Sequence, residues 1–395
     1  MEVQVRRGDT FYYYSQLFYL PLQLIIDSNS DMAGNSLQIG QTVSIPGFYI
    51  GNYTIRQGDT FWGIARRRNL SVDALLLLNQ SLNPSALQVG AEISIPLRIT
   101  QPVVMGQQAY SFGILDRDIK SLKNAFPFIK VSQIGESVLG KPLYEILIGN
   151  GEKKVHINAS FHANEWITTP ILMRFMNDYL LSLTNRGAIR GVVMEPLYSS
   201  VTLSLVPMVN PDGVDLVIEG PPPALREELI EFNKGNTNFS GWKANINGVD
   251  LNNQYPAKWE LEKERKEEKN PAPRDFPGYK PLSEPEAIAM AELARSGDLD
   301  RVLALHTQGE EFYWGFEGME PPESEMLAEE FERVSGYRSV RYIDSFAGYK
   351  DWFIQEFQRP GFTVELGMGI NPLPLSQFDR IYESVLGIFL VSIYR

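Results

Sequence analysis

Two copies of one small module fill the first hundred residues, and their fixed offset restricts the fold of that region more than anything else in the chain. Gly8-Asp9-Thr10-Phe11 returns as Gly58-Asp59-Thr60-Phe61, Leu37-Gln38-Ile39-Gly40 as Leu87-Gln88-Val89-Gly90, and Ile45-Pro46 as Ile95-Pro96, each displaced by 50 positions. Each copy reads as strand, helix, helix, strand. In the second copy, residues 53–56 form a short strand. Asp59 or Thr60 caps a first helix, and Ser71 caps a second that carries Val72, Leu75, Leu76 and Leu78. Asn79 ends that helix, and residues 92–95 close the module as a strand stopped by Pro96. A module this short has a small core, so duplicating it adds avidity rather than chemistry.

The chain has 395 residues, enough for two or three domains, with 44% hydrophobic and 21% charged residues, as in a soluble globular protein. A net charge of -12 argues against nucleic acid or an anionic membrane as partner. No run of 18 apolar residues appears, so no transmembrane segment is expected. The absence of cysteine excludes disulfides and thiolate ligands, so any metal falls to His, Asp and Glu. Met1-Glu2-Val3-Gln4-Val5-Arg6 lacks the pattern of a secretory signal. The chain as written is therefore expected in the cytoplasm, with association with a mother cell, a spore or the cell wall left open.

The expected division is a first repeat over 1–47, a second over 53–97, a linker over 98–109 and a catalytic domain over 110–395. In that domain the pattern predicts a helix over 116–125, strands over 131–134, 143–148 and 155–159, and an apolar helix over 169–183. Residues 201–206 read as a buried strand, followed by a turn at Asn210-Pro211-Asp212-Gly213. Residues 221–242 read as an irregular surface insertion, and 258–269 as a solvated face of mixed charge. Ser283-Glu284-Pro285-Glu286 reads as a capping box before a helix over 287–295. Apolar strands at 301–305 and 362–364 end at His306 and Glu365.

His162 and Glu165 stand three apart on the loop after strand 155–159, close enough to aim an imidazole and a carboxylate at one point. His306 follows another strand end, where open α/β sheets place their functional groups. His156, the third histidine, lies within its strand and is expected to be packed there. Glu365 ends an apolar strand, where a carboxylate must be paired, solvated or close to a cation. By itself that residue fits either a buried ion pair or a general base beside a metal.

The repeats resemble LysM domains in their Gly-Asp-Thr start, their mid-repeat Asn29 and Asn79, and their Leu-x-x-Gly to Ile-Pro ending. That resemblance implies binding to N-acetylglucosamine-containing glycans such as peptidoglycan. Residues 110–395 resemble a zinc carboxypeptidase of the carboxypeptidase A superfamily. The resemblance rests on His162-Ala163-Asn164-Glu165-Trp166-Ile167-Thr168, Asn210-Pro211-Asp212-Gly213, Trp242-Lys243, Gly248-Val249-Asp250-Leu251-Asn252, Ser283-Glu284-Pro285-Glu286, Leu305-His306-Thr307 and Thr363-Val364-Glu365-Leu366. It implies an α/β fold, a carboxypeptidase-like mixed sheet flanked by helices and preceded by two small βααβ LysM modules. It also implies one Zn2+ held by His162, Glu165 and His306, with Glu365 as general base and Lys243 stabilising the developing oxyanion.

The departures from that family bear on substrate. Relatives follow Asp-x-Asn with an arginine that clamps the C-terminal carboxylate, whereas here Asn253 follows Asp250-Leu251-Asn252. The clamp is missing, which points away from ordinary C-terminal exopeptidase action. Asn252, Asn253, Lys350 and Tyr349 are the expected substrate-binding residues. Lys350 is expected at the base of the pocket for the leaving residue. The family's mobile tyrosine has no unique counterpart: Tyr342 needs a one-residue shift, Phe346 lacks a hydroxyl, and Tyr349, next to Lys350, is the candidate taken. The combination resembles the γ-D-glutamyl-meso-diaminopimelate peptidases of spore-forming bacteria, so peptidoglycan glycan and stem peptides are the expected partners. No specific protein partner is expected. The alternatives are a metallocarboxypeptidase acting on ordinary peptides and a non-catalytic binding protein of the cell wall or spore coat.

Overall fold

Threonine caps start the first helix of each repeat: Thr10 Oγ1 accepts from Tyr13 N and Thr60 Oγ1 from Gly63 N, both at 3.0 Å. The computed structural model describes residues 1–32 and 37–395. The first repeat runs β1 (Glu2–Gln4), α1 (Phe11–Leu17), α2 (Leu22–Asp27) and β2 (Thr42–Ser44). The second runs β3 (Phe48–Thr54), α3 (Phe61–Arg67), α4 (Val72–Leu78) and β4 (Glu92–Arg98). The mid-repeat asparagines tie each second helix to its last strand. Asn29 Nδ2 donates to Ile25 O and Ser44 O while its Oδ1 accepts from Ser44 N. Asn79 repeats this with Leu75 and Ser94. Ala74 and Leu77 of the second repeat join the core of the first.

By contacts the repeats form one unit, Met1–Val104, together with Asp118–Lys130 and Asn177–Glu195. The second unit comprises Met105–Arg117, Val131–Met176 and Pro196–Arg395. After the repeats come α5 (Phe112–Ala125), β5 (Lys130–Glu136), β6 (Pro142–Ile148), β7 (Lys153–Ala159), α6 (Thr168–Asn185) and the hairpin β8 (Ala188–Ile189) to β9 (Val192–Val193). The chain continues through α7 (Met194–Ser200), β10 (Val201–Val206), α8 (Pro211–Glu219), α9 (Arg226–Phe232), α10 (Trp259–Arg265) and α11 (Pro285–Gly297). It ends with β11 (Arg301–His306), β12 (Glu311–Tyr313), α12 (Pro322–Ser335), β13 (Arg338–Val340), α13 (Tyr349–Phe357), β14 (Gly361–Glu365) and α14 (Phe378–Tyr394).

Eight strands form one mixed sheet in the order β13-β12-β14-β11-β7-β10-β6-β5. Its centre, β10-β7-β11-β14, is parallel, and β6 and β12 run antiparallel to their neighbours β10 and β14. All six residues of β11 are buried, as expected of a strand covered on both faces. Parallel register sets His306 beside Glu365 and Leu305 beside Ala159, so three strands end on one edge. The mixed sheet flanked by helices that the sequence implied is present. Among the described residues no helix is long and apolar enough to cross a membrane.

Four local expectations are corrected. Asn210-Pro211-Asp212-Gly213 opens α8 rather than making a free turn. Asn210 Oδ1 caps Gly213 N at 3.0 Å, Pro211 takes the first helical position, and Val214 and Leu216 bury the following turn. Residues 221–242 are not wholly irregular, since α9 lies within them. Ser283 does not build a capping box: Gln254 Oε1 accepts from both its backbone N and its hydroxyl, and Glu286 instead accepts from Val138 N. The run 258–269 contains α10, whose Glu262 is buried, so this charged stretch is not simply a solvated face.

Candidate active site

At the end of β7 the backbone reverses through Ser160, which holds φ at +51° although it carries a side chain. Thr168 Oγ1 accepts from Ser160 N at 2.9 Å, and the Ser160 hydroxyl meets Thr168 Oγ1 and Thr169 Oγ1 at 3.1 and 2.7 Å, so three hydroxyls over-determine the turn. A short 3-10 turn, Ala163–Glu165, then presents His162 and Glu165. Asn210 Nδ2 donates to Phe161 O and Ala244 O, which joins this loop to the one bearing Lys243.

Three donors converge there. His162 Nδ1 lies 2.9 Å from Glu165 Oε1, and His306 Nδ1 lies 3.0 Å from Glu165 Oε2 and 3.1 Å from His162 Nδ1. Asp250 Oδ1 stands 3.1 Å from His162 Nε2, which places the proton on that nitrogen and turns the Nδ1 lone pair toward the cluster. Asp250 is itself held by Asn252 N and Asp275 N. Two imidazole lone pairs and a carboxylate aimed at one buried point leave a concentration of acceptors that a cation neutralises. Among the described residues this is the one such group of His, Asp and Glu, with ligand atoms within 4.8 Å of one another. Two histidines, a carboxylate and an open position fit zinc.

The electrostatics agree. Burial disfavours a charged His162, but the negative charges of Glu165 and Asp250 outweigh it and push the imidazole up to about 9. Burial holds His306 below its ordinary value. Glu165 sits well below the usual carboxylate range, because the charges of His162 and Lys243 override its burial. Burial first, then repulsion from Glu165, push Glu365 up to about 8. A divalent cation at the cluster draws such a neighbour back toward its ionised form.

The zinc carboxypeptidase family profile matches residues 115–386, and the LysM domain profile matches 3–46 and 53–96. The chain belongs to the zinc carboxypeptidase family. It is a metallopeptidase whose cofactor is zinc, preceded by LysM glycan-binding domains. It is 63% identical over 396 residues to gamma-D-glutamyl-L-diamino acid endopeptidase 1 of Lysinibacillus sphaericus, covering 100% of both chains. It is 49% identical over 304 residues to YqgT of Bacillus subtilis (strain 168), covering 75% of this chain and 81% of that one. Among solved structures it resembles bovine thrombin-activatable fibrinolysis inhibitor in complex with tick carboxypeptidase inhibitor, at a TM-score of 0.56, 19% identity, 73% of this chain and 97% of that one. Carboxypeptidase A of Helicoverpa armigera gives a TM-score of 0.56 at 16% identity, over 84% of this chain and 80% of that one. At these identities the structural likeness speaks for the fold.

Around this zinc carboxypeptidase cluster lies a polar cavity of about 170 Å³, lined in part by His162, Lys243, Asn252, Asn253, Lys350 and Glu365. Lys243 Nζ stands 3.7 Å from Glu165 Oε1. Asn252 Oδ1 accepts from Tyr349 N at 3.1 Å, and Asn253 N donates to Asp250 O. The expectation for Tyr349 is corrected. Its ring is fully buried against Phe161, Tyr255 and Trp352, its hydroxyl has no hydrogen-bond partner, and it does not line the cavity. As the first residue of α13 it points into the apolar layer beneath the sheet edge, where a large aromatic ring gains most from leaving water. Sequence reasoning missed Asp250 as the partner of His162, and it missed Asp275, Lys266 and Tyr313, which also line the cavity. The signal for Asp250 lay within Gly248-Val249-Asp250-Leu251-Asn252. That stretch holds no hint that position 250 meets position 162.

Proposed function

We propose that this chain hydrolyses the γ-D-glutamyl-meso-diaminopimelate bond of peptidoglycan stem peptides while its LysM modules hold N-acetylglucosamine-containing glycan. The observation that carries this reading is the full-length, 63% identity to a protein named a gamma-D-glutamyl-L-diamino acid endopeptidase. The residue at 253 supports it. An asparagine in place of the carboxylate-clamping arginine leaves room for a leaving residue that continues into further chain. The working division is repeats at 1–47 and 53–97, a linker at 98–109 and a catalytic domain at 110–395.

In this reading His162, Glu165 and His306 hold the zinc, and Asp250 fixes the tautomer of His162. When bound, the metal supplies a Lewis acid and a water acidic enough to attack an amide at neutral pH. Glu365, aligned with His306 on the neighbouring strand, takes the proton of the attacking water and returns it to the leaving amine. Lys243 faces the negative charge that develops on the carbonyl oxygen. Asn252, Asn253 and Lys350 line the space for the leaving residue.

The test is incubation of the purified protein with L-Ala-γ-D-Glu-meso-diaminopimelate, with and without a chelator, and identification of products by mass. Release of L-Ala-D-Glu that the chelator abolishes is the expected result. No cleavage there, with loss of C-terminal residues from ordinary peptides, would establish the rival exopeptidase instead.

A further inference from the structure

The cavity beside the zinc site holds more charged groups than hydrolysis uses. Asp250 is taken by His162, and Lys243 faces Glu165. Lys266 is held by Asp275 at 3.1 Å and Glu262 at 3.3 Å, and Glu365 stands beside the metal cluster. One pair is left over. Lys350 and Asp351, adjacent at the start of α13, are 4% and 5% exposed, lie 2.5 Å apart from Nζ to Oδ1, and both line the cavity.

We propose that Lys350 and Asp351 form a clamp for a zwitterionic side-chain end, an ammonium and a carboxylate borne on one carbon. The inference deepens the reading above and rests on it: diaminopimelate is lysine with a carboxylate added beside its distal amine. Lys350 Nζ donates to Gly315 O at 2.9 Å and pairs with Asp351, which leaves one of its three N–H groups for a ligand carboxylate. Asp351 Oδ2 accepts from Gly348 N at 3.3 Å, and the carboxylate keeps lone pairs for a ligand ammonium.

The electrostatics of a pair make the selectivity. A lone charge meets attraction from one member and repulsion from the other at nearly the same distance, and the two largely cancel. A matched zwitterion makes both contacts favourable at once and completes the hydrogen bonding of two buried ions, which stability alone does not require. The same pair therefore rejects both half-matched side chains. A cavity of about 170 Å³ suits one such side chain.

The experiment compares kcat/KM for three peptides, L-Ala-γ-D-Glu followed by meso-diaminopimelate, by L-lysine or by L-2-aminopimelate, the last two each lacking one distal charge. The wild-type protein is expected to favour diaminopimelate at least tenfold over both. Lys350→Met should invert the order toward the lysine peptide, and Asp351→Asn toward the aminopimelate peptide, a change of rank that general damage to the fold does not produce. Wild-type rates within threefold of one another overturn the clamp and leave the proposed function standing. Hydrolysis of none of the three overturns both. Where one variant fails to fold, the change of rank in the other still tests the pair, and equal wild-type rates overturn the clamp without either.

Discussion

Lys243 stands where one side chain decides between two roles, because its ammonium lies 3.7 Å from a carboxylate oxygen of Glu165 and also lines the cavity. If it served only to balance the charge of Glu165, a neutral residue would free that carboxylate for the metal, tightening zinc binding and changing little else. As an oxyanion donor its removal costs about 3 kcal/mol of barrier, roughly a hundredfold or more in kcat. Lys243→Met is therefore expected to lower kcat by that factor at saturating zinc, with Lys243→Arg recovering much of it; an unchanged kcat in the methionine variant would assign the charge-balancing role. Glu286 allows a stability test on a carboxyl outside the metal cluster. Burial pushes its carboxyl up to about 7, against hydrogen bonds from Val138 N and Asn245 Nδ2. A carboxyl whose folded value lies above its ordinary one stabilises the fold fully at low pH and loses that contribution as pH rises through the folded value. Between pH 4.5 and 8 the loss amounts to about 3 kcal/mol. Urea midpoints of wild type and Glu286→Gln are expected to converge or cross over that range, and parallel profiles would rule the effect out. The sequence showed His162, Glu165, His306 and Glu365 because each follows a strand end or a short motif. It did not show Asp250, which lies 88 positions from His162 and meets it only through the fold.

At the scale of elements, what was legible depended on whether the deciding contact was local. The helices of the repeats were, because Thr60 and Ser71 cap the turns they directly precede. Ser283 was not, because Gln254, 29 positions away, claims both its hydroxyl and its N–H. Asn210-Pro211-Asp212-Gly213 has the chemistry of a turn and of a helix start alike, and the burial of Val214 and Leu216 selects the helix. Tyr349 was misplaced for the same reason, since an aromatic ring at a helix start can face the cavity or the core, and the core offers three aromatic partners. Asn210 is where an element and the site depend on one side chain. It caps α8 through Oδ1 and holds Phe161 O and Ala244 O through Nδ2, all buried. Asn210→Ala removes a cap worth about 1 kcal/mol and leaves buried carbonyls unmet at about 1–3 kcal/mol. The expected loss is thus about 3 kcal/mol in denaturant unfolding, with weaker zinc retention because the His162 loop loses its anchor. Asn210→Asp keeps the cap but not the donors, so it should lose zinc retention more than helix stability. Equal effects of the two substitutions would show that the donors alone matter, and an aspartate variant that behaves like the wild type would show that the cap alone does.

For the whole molecule, the reason to join two repeats to a peptidase is local concentration, and the surface of the repeats says where the polymer would be held. Tyr12 and Trp62 occupy the same place in the two copies and are 64% and 61% exposed, and Ile39 and Val89 correspond in the same way at 70% and 66%. A single exposed apolar side chain needs no explanation, but two pairs exposed alike in both copies mark a surface kept out of the core in each. Aromatic faces of this kind suit the apolar faces of sugar rings, with Trp and Tyr also offering a polar edge. Tethering then converts binding of the stem peptide into a nearly intramolecular event, with effective concentrations that reach millimolar. The Tyr12→Ala, Trp62→Ala double variant should consequently cosediment with insoluble peptidoglycan at least tenfold less and release diaminopimelate-containing products from it more slowly. On the soluble tripeptide, where tethering contributes nothing, kcat/KM should match the wild type. A loss on both substrates would point to damage in the repeat unit, and unaltered cosedimentation would move the glycan-binding surface away from these side chains.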